Sequence, residues 1–379
     1  MSYIFNPHAP RTAPGFVGGR SIWERLHIDG ALLALILILI GIGCFVLYSA
    51  ANQNVGMFER QLVRFALAMV VMTVIAQVPP RYFCALVPFV YTGGLILLLL
   101  VLLMGDVGKG AQRWLDLKVI RFQPSEFMKL AVPMMVAYYF SEKPLPCTLK
   151  DTLVASMIIV VPVLMIAKQP DLGTALLIAA SGFCVLFLAG LPWRYLFGLM
   201  GLGALAAPVL WHFLHDYQRK RILMFLNPEL DPLGAGYHTI QSKIAIGSGG
   251  PFGKGWLQGT QSHLEFLPER STDFIFAVMS EELGLFGALT LYVAYYAILW
   301  RMMKITVQAQ STFARLLAGS ITLTFAIYVI INTGMVSGVL PVVGVPLPLI
   351  SYGGTSVVTL FAGFGILMSI QTHRQLVSD

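Results

Sequence analysis

The chain is organised around residues 264–284, which read LEFLPERSTDFIFAVMSEELG. Charged side chains at the beginning of this stretch lead directly into an apolar run that is long enough to cross a bilayer. An ionised side chain in lipid costs at least about 2.5 to 3.5 kcal/mol, so it is normally kept where it faces water or a partner. Asp273, at the start of the run, therefore has two interpretations. It lies in the first helical turn, behind an N-cap at Ser271 or Thr272, or it is a functional group at the membrane surface.

The composition is that of a polytopic membrane protein. Hydrophobic residues make up 57% and charged residues 11% of the chain, and the mean hydropathy is +0.77. In soluble domains roughly a quarter of the residues are charged. The net charge of +7 comes from basic residues in short loops. It favours anionic lipid or a phosphate-bearing ligand, and without a stripe of basic and stacking aromatic residues we predict no nucleic-acid partner.

Apolar runs predict an all-α polytopic integral membrane protein with about ten transmembrane helices. The predicted helices cover roughly residues 30–50, 62–78, 84–104, 125–141, 150–167, 172–190, 195–214, 273–300, 312–336 and 350–371. Residues 1–26 read as a cytoplasmic tail and residues 27–379 as one transmembrane domain. The long loop at about 215–272 has basic and apolar blocks typical of helices in the head-group plane.

The basic residues divide almost evenly between the two sides of the membrane, so their number alone does not orient the chain. Charges in a long loop have little influence on orientation. We therefore predict that both termini are cytoplasmic and that the 215–272 loop is extracytoplasmic. Two breaks, at residues 168–171 and in the proline-rich 340–349 stretch, put irregular backbone at membrane depth, which indicates a wet cavity.

Glycines are frequent between Gly247 and Gly259 and surround Lys254. They do not form a nucleotide-binding P-loop, because Ser248 stands where the first glycine should be and Gly255 stands where a serine or threonine should follow the lysine. A backbone that closely approaches a ligand or a neighbouring helix, or a flexible loop, explains them better.

A second polar cluster begins the predicted fourth span. Glu126 and Lys129 are three residues apart, so they share a helix face and can pair inside the membrane. The pair either only neutralises the helix for insertion or forms part of a site. Under the ten-span prediction Asp171, Arg60 and Arg64 open other spans on the same side, which predicts one outer-leaflet site with carboxylates and cations.

Several motifs, in order along the chain, resemble the SEDS family (shape, elongation, division and sporulation). They are QPSE at 123–126, QPDLGT at 169–174, LPERSTDFIFAV at 267–278, EELG at 281–284 and GVPLPLISYGG at 344–354. The resemblance runs from about residue 22 to the C-terminus. GTQS at 259–262 and PVVGVPLP at 341–348 are more similar to the family members that act in the elongation of rod-shaped cells than to the members that act at the septum.

The resemblance implies a peptidoglycan glycosyltransferase that polymerises lipid II on the outer face of the bacterial inner membrane, paired with a class B penicillin-binding protein. Asp273 would be the general base on the acceptor sugar 4-hydroxyl, and undecaprenyl diphosphate would be the leaving group. The candidate substrate-binding residues are Arg60, Arg121, Gln123, Glu126, Lys129, Asp171, Lys243 and Arg270. A divalent cation, Mg²⁺ or Mn²⁺, is expected, with protein ligands that the sequence leaves open, and no organic cofactor. Lipid II, undecaprenyl-linked glycan and membrane lipids are the expected ligands.

Three other functions stay open at this point. Ten spans, broken helices and intramembrane charge are also typical of transporters, so the chain could be a lipid II flippase. It could also be a septal-type polymerase, or a scaffold for the partner synthase without catalytic activity. Glu281 and Glu282, about two turns into the helix after Asp273, are interpreted as structural or gating residues.

Overall fold

The described part of the chain is a bundle of α-helices with one small β-sheet. The structure, a computed structural model, describes residues 26–104, 106–108, 111–116, 121–213, 219, 223, 237–263 and 269–374. The helices are α1 (Gly30–Ala50), α2 (Val55–Ala76), α3 (Pro80–Met104), α4 (Pro124–Phe140), α5 (Leu149–Lys168), α6 (Leu172–Leu188), α7 (Trp193–Phe213), α8 (Tyr237–Gly249), α9 (Thr260–His263), α10 (Ile275–Val307), α11 (Thr312–Val336) and α12 (Thr355–Thr372). The strands are β1 (Asp106–Gly108), β2 (Ala111–Asp116) and β3 (Arg121–Phe122). The predicted helical membrane architecture is confirmed.

Each of the ten predicted spans corresponds to a helix in the structure. Helices α1, α3, α5, α10, α11 and α12 are long and apolar enough to cross a membrane. The other four predicted spans correspond to α2, α4, α6 and α7. The chain is thus a multi-pass membrane protein, while the number of ten crossings stays a prediction. The predicted tail, apart from Leu26, and about half of the predicted 215–272 loop lie outside the described residues.

The small antiparallel sheet between α3 and α4 was not expected from the sequence. Its strands follow the order β1-β2-β3, and Asp116 pairs with Arg121 where β2 meets β3. Strands of two to six residues leave no apolar run that a search for spans can detect. The sheet lies directly before Gln123, the residue that precedes α4.

Helix α10 is the longest helix among the described residues and is broken near its beginning. Its 33 residues contain Gly284 with φ 65° and ψ −159°, a backbone conformation open essentially only to glycine. At the opposite end of the helix, Arg301 pairs with Asp29, which also caps α1 by accepting a hydrogen bond from the Leu32 amide at 2.7 Å. The first helix and α10 are therefore fastened to each other.

The backbone between α11 and α12 is irregular, as the proline-rich sequence predicts. We call residues 338–354 the linker segment. Its central part is buried among helices, since Leu347, Leu349 and Ile350 are each 1% exposed. Tyr295 of α10 donates a hydrogen bond to the Pro348 carbonyl at 2.7 Å. This bond satisfies a backbone carbonyl of the linker segment inside the bundle.

Candidate active site around Asp273

Asp273 lies on a tight turn directly before α10. Glu269, with φ 54°, begins this turn, and its carbonyl accepts hydrogen bonds from the amides of Thr272 and Phe274 at 3.1 and 3.3 Å. Helix α10 starts at Ile275 with Phe274 as its N-cap residue, without a side-chain cap and without an acidic residue in its first turn. The capping interpretation is therefore wrong, because Asp273 precedes the helix and neither serine nor threonine forms its cap. The half-buried carboxylate needs another explanation.

Asn332 of α11 fixes the backbone of Asp273. Its Nδ2 donates hydrogen bonds to the carbonyl oxygens of Asp273 at 2.9 Å and of Val345 at 2.7 Å. Asn332 is completely buried. Because one amide group binds both the turn and the linker segment, the two cannot move independently. Sequence reasoning missed this residue, although a lone amide inside an apolar span is a signal for a buried polar contact.

The linker segment binds the two residues before Asp273 as well. Ser351 Oγ donates to the Thr272 carbonyl at 2.5 Å and accepts from the Leu347 amide at 2.8 Å. The Tyr352 amide donates to the Ser271 carbonyl at 2.8 Å. Three successive carbonyl groups of the turn are thus held by α11 and the linker segment, which preorganises the position of Asp273.

The carboxylate of Asp273 lies against Gly344. A Cβ atom at Gly344, where φ is 78°, would be 3.5 Å from Asp273 Oδ2. On the preceding residue, the Val343 carbonyl oxygen lies 2.6 Å from the position that a Cβ would take at Gly173, close to the beginning of α6. The linker segment therefore connects the Asp273 turn with the start of α6.

Two predicted site residues meet at that start of α6. Asp171 caps the helix by accepting a hydrogen bond from the Thr174 amide at 3.4 Å. Its Oδ2 also accepts a hydrogen bond from Gln123 Nε2 at 3.3 Å. The structure thus brings together Gln123 and Asp171, and Asp171 has a capping role in addition to any contact with a ligand.

The predicted pair of Glu126 and Lys129 is confirmed. Lys129 Nζ lies 2.6 Å from Glu126 Oε1, and both side chains are buried. The ammonium group also lies 5.5 Å from the centre of the Tyr328 ring, a cation–π distance. Glu126 Oε2 is buried without a hydrogen-bond partner, so the pair is not fully satisfied by the protein.

Lys129 lines a cavity between α4, α10, α11, α12 and the linker segment. Apolar groups dominate its wall, among them residues 346–349 and Phe364. Ser351 lines the same cavity and, as shown above, holds the Asp273 turn. A mostly apolar chamber with one cation thus adjoins the turn that carries Asp273.

Cations of α2 approach the linker segment from another side. The guanidinium carbon of Arg64 lies 4.4 Å from the centre of the Tyr352 ring. Buried Gln61 accepts a hydrogen bond from the Gly353 amide at 3.3 Å, and its Nε2 is buried without a partner. Arg60 is exposed on the same helix, one turn before Arg64. The sequence placed Arg60 and Arg64 on one side with Asp273 but gave no sign of Gln61.

The remaining predicted site residues are Lys243, Arg270 and Arg121, and the structure describes the side chains of the first two. Lys243 on α8 is exposed, and its Cε lies 2.0 Å from the position that a Cβ would take at Gly338, which puts the lysine across the start of the linker segment. Arg270 is half-buried in the Asp273 turn. The backbone of Arg121 lies in β3, and its side chain lies outside the described residues. Within residues 26–374, where described, no three His, Cys, Asp and Glu side chains come together to hold a metal ion.

His238 of α8 gives the turn a group that responds to pH. Its ring stacks on Phe274 with 5.8 Å between the ring centres. Burial lowers the pKa of His238 below its ordinary value of 6.5, and the nearby Glu269 carboxylate partly opposes this effect. His238 is therefore expected to be neutral at neutral pH.

We expect the protein to lose stability as the pH falls below about 6.5, since the unfolded chain then binds a proton at His238 that the folded chain resists. Above that pH the residue contributes no pH dependence. The unfolding temperature, measured from pH 8 to pH 5 in detergent, should fall more steeply for the natural protein than for His238→Gln. Equal slopes for the two proteins would contradict this prediction.

Comparison with known proteins places this site in a family. The model of the "Cell cycle protein" family FtsW/RodA/SpoVE matches residues 30–376. Over 360 residues the chain is 53% identical to peptidoglycan glycosyltransferase MrdB of Escherichia coli K12, covering 95% of this chain and 97% of that protein. It is 30% identical to peptidoglycan glycosyltransferase RodA of Treponema pallidum, covering 91% and 98%.

Solved structures agree with the sequence match. A chain from a peptidoglycan synthase complex, described for the coordination of polymerization and crosslinking, matches with a TM-score of 0.81 and 31% identity, covering 92% of this chain and 99% of that one. The crystal structure of Thermus thermophilus rod shape determining protein RodA matches with a TM-score of 0.70 and 28% identity, covering 92% and 98%. The resemblance seen in the motifs is confirmed, and the chain belongs to the FtsW/RodA/SpoVE family of multi-pass membrane proteins.

Proposed function

We propose that this chain is a peptidoglycan glycosyltransferase of the elongation type, which polymerises lipid II into glycan strands. The relatives named MrdB and RodA are peptidoglycan glycosyltransferases by name. The observation that carries the proposal is the placement of Asp273: a half-buried carboxylate outside the helix, on a turn held at three successive carbonyls. A group without a capping role, held in this way, is suited to catalysis.

Asp273 acts as the general base. The acceptor sugar 4-hydroxyl gives its proton to the carboxylate while its oxygen attacks the anomeric carbon of the donor. The bond from that carbon to the diphosphate breaks, and undecaprenyl diphosphate leaves with the electron pair. A single displacement inverts the α-linked donor to a β-glycosidic bond. Since a diphosphate is already a good leaving group, one base suffices, unlike in glycoside hydrolysis.

Cations near the linker segment neutralise the charge that develops on the diphosphate. Arg60 is exposed, and Arg64 lies beside Tyr352, whose amide binds the Asp273 turn. Arginine can contact phosphate oxygens with two parallel hydrogen bonds. Lys243, exposed beside Gly338, adds a point charge from α8. Gln123, Glu126, Lys129, Asp171, Arg121 and Arg270 are proposed to complete the substrate-binding surface.

A divalent cation, Mg²⁺ or Mn²⁺, fits this arrangement only as an ion shared between the protein and the diphosphate of the substrate. The described residues form no cluster of three ligands, but Mg²⁺ commonly takes one or two carboxylates and completes its shell with water and substrate phosphate. A carboxylate of the 269–273 turn would hold it, and the ion would supply positive charge beside the diphosphate. No organic cofactor is required.

The family supports a setting for the reaction. We propose that the site faces the periplasm, that both termini lie in the cytoplasm of an inner-membrane protein, and that a class B penicillin-binding protein cross-links the product strands. The relative with the highest TM-score given above comes from a synthase complex of polymerization and crosslinking, which supports such a partner.

A vesicle assay with the purified protein, its cognate penicillin-binding protein and labelled lipid II tests the proposal. We expect long glycan strands on gels, and no strands once chelation removes divalent ions. Translocation of lipid II without strand synthesis would instead support a flippase. Strand synthesis only from the partner, unchanged when this chain is left out, would support a scaffold.

A further inference from the structure

The loop after α8 docks onto α10 at the break in that helix. The amides of Leu285 and Phe286 donate to the carbonyls of Gly250 and Pro251 at 3.0 and 3.2 Å, so the loop supplies partners that the broken helix lacks. A Cβ on Gly284 would lie 2.3 Å from the amide nitrogen of Gly253, so only glycine permits this close approach. The glycines of this loop thus serve backbone packing against a helix, one of the interpretations that the sequence left open.

The side chain of Glu281 extends this docking to α9. Glu281 is completely buried, two turns into α10. Its Oε1 accepts hydrogen bonds from Lys254 Nζ at 2.7 Å, Thr260 Oγ1 at 3.2 Å and the Gln261 amide at 2.9 Å. Lys254 Nζ also donates to Thr260 Oγ1 at 2.8 Å. One buried carboxylate therefore fixes the start of α9 to α10.

Along the chain, the Asp273 turn lies between the two residues that this contact joins, Gln261 and Glu281. The chain leaves Gln261, passes through Asp273 and returns along α10 to Glu281. A contact that closes such a loop removes conformations from the chain inside it. Linker-segment contacts hold the turn from one side, and the Glu281 contact fixes Thr260 and Gln261, which precede the turn in the chain.

The neighbouring carboxylate has different partners. Glu282 is 2% exposed at the same depth of α10, and its Oε1 accepts a hydrogen bond from Ser49 Oγ of α1 at 2.5 Å. It fastens α10 to α1, outside the loop that contains Asp273. The two adjacent glutamates thus offer a matched comparison of the same chemical group with different contacts.

We propose that Glu281, paired with Lys254, is a positioning residue for Asp273. The inference rests on the proposed function of Asp273 as the base. Glu281 itself touches no reacting atom. Its carboxylate holds Thr260 and Gln261, which precede the Asp273 turn in the chain, so that the base stays within reach of the acceptor hydroxyl.

Removing the charge of Glu281 should leave the fold intact. In Glu281→Gln the amide fills the same space, but without its charge it releases Lys254 and accepts more weakly from the Gln261 amide. The Lys254 side chain, 27% exposed, can turn its ammonium group to water. A shift of the base by about 1 Å can cost about 100-fold in rate. We therefore expect kcat for strand synthesis to fall by about 10- to 100-fold, with KM for lipid II changed by less than about threefold.

The experiment compares Glu281→Gln with Glu282→Gln in the same vesicle assay, together with unfolding temperatures and hydrogen exchange. Glu282→Gln should lower the unfolding temperature at least as much, but should leave kcat within about threefold of the natural protein. Exchange of the amides at 260–263 should accelerate in Glu281→Gln only. Lys254→Arg should retain activity that Lys254→Met loses, because arginine keeps a charged donor.

Parallel losses of kcat and unfolding temperature in both glutamine variants would overturn the proposal, as would unchanged kcat in Glu281→Gln. The exchange measurement separates this inference from the proposed function. If the natural protein makes no strands but Glu281→Gln still frees the 260–263 amides, the function fails and the restraint stands. If the amides exchange at the natural rate in Glu281→Gln, the restraint itself is refuted.

Discussion

Replacing Asp273 with asparagine is expected to reduce glycan-strand synthesis by about 10²- to 10⁴-fold, the usual contribution of a positioned general base. The amide has nearly the same shape as the carboxylate but cannot take up the proton of the acceptor hydroxyl. Hydrogen bonds that hold the turn go to main-chain carbonyls of residues 271–273, so the substitution leaves them in place. Folding and lipid II binding should therefore survive while the chemical step is lost.

Strand length and initial rate, measured on gels with the partner synthase present, give the readout. Glu142→Gln is a suitable control, because Glu142 is an exposed carboxylate just beyond the end of α4 opposite to Glu126. We expect that control to keep the natural rate. Undiminished synthesis by Asp273→Asn would exclude this residue as the base.

Local sequence patterns predict the helices well where a run is apolar along its whole length. The predicted spans at 30–50 and 312–336 agree with α1 and α11 at both ends. The pairing of Glu126 with Lys129 also follows from a spacing of three residues, which fixes a shared helix face before any tertiary contact forms.

Contacts that define the candidate site are not visible in local patterns. Asn332 and Asp273 are 59 positions apart, and Ser351 and Thr272 are 79 positions apart. Helical periodicity says which face a residue occupies, but not which distant carbonyl that face will meet. The sequence therefore identified Asp273 and the irregular linker segment separately, and the structure was needed to show that one holds the other.

The start of α10 shows a second limit. Ser271, Thr272 and Asp273 together suggest a helix start by residue preference alone. Tertiary hydrogen bonds from Ser351 and Tyr352 instead occupy the carbonyls of Thr272 and Ser271, and the helix begins only at Ile275. Preference for a cap is worth about 1 kcal/mol, which several buried hydrogen bonds can outweigh.

Removing Lys129 should destabilise the protein more than removing any exposed lysine. In Lys129→Met the buried Glu126 loses its partner at 2.6 Å, while its other oxygen already lacks one. Leaving one member of a buried pair behind typically costs about 3 to 5 kcal/mol. We expect the unfolding temperature in detergent to fall by several degrees, and the Glu126→Leu, Lys129→Met double variant to recover most of that loss, since no unpaired charge then remains.

A lysine at the opposite end of α4 provides the matched control. Lys143 pairs with Asp151, but its side chain is 35% exposed, and water screens exposed ion pairs so that they contribute little to stability. Lys143→Met should therefore shift the unfolding temperature little. If the double variant recovers stability but not strand synthesis, the Glu126–Lys129 pair acts on the substrate through the cavity that Lys129 lines. If it recovers both, the only role of the pair is that its two buried charges neutralise each other inside α4.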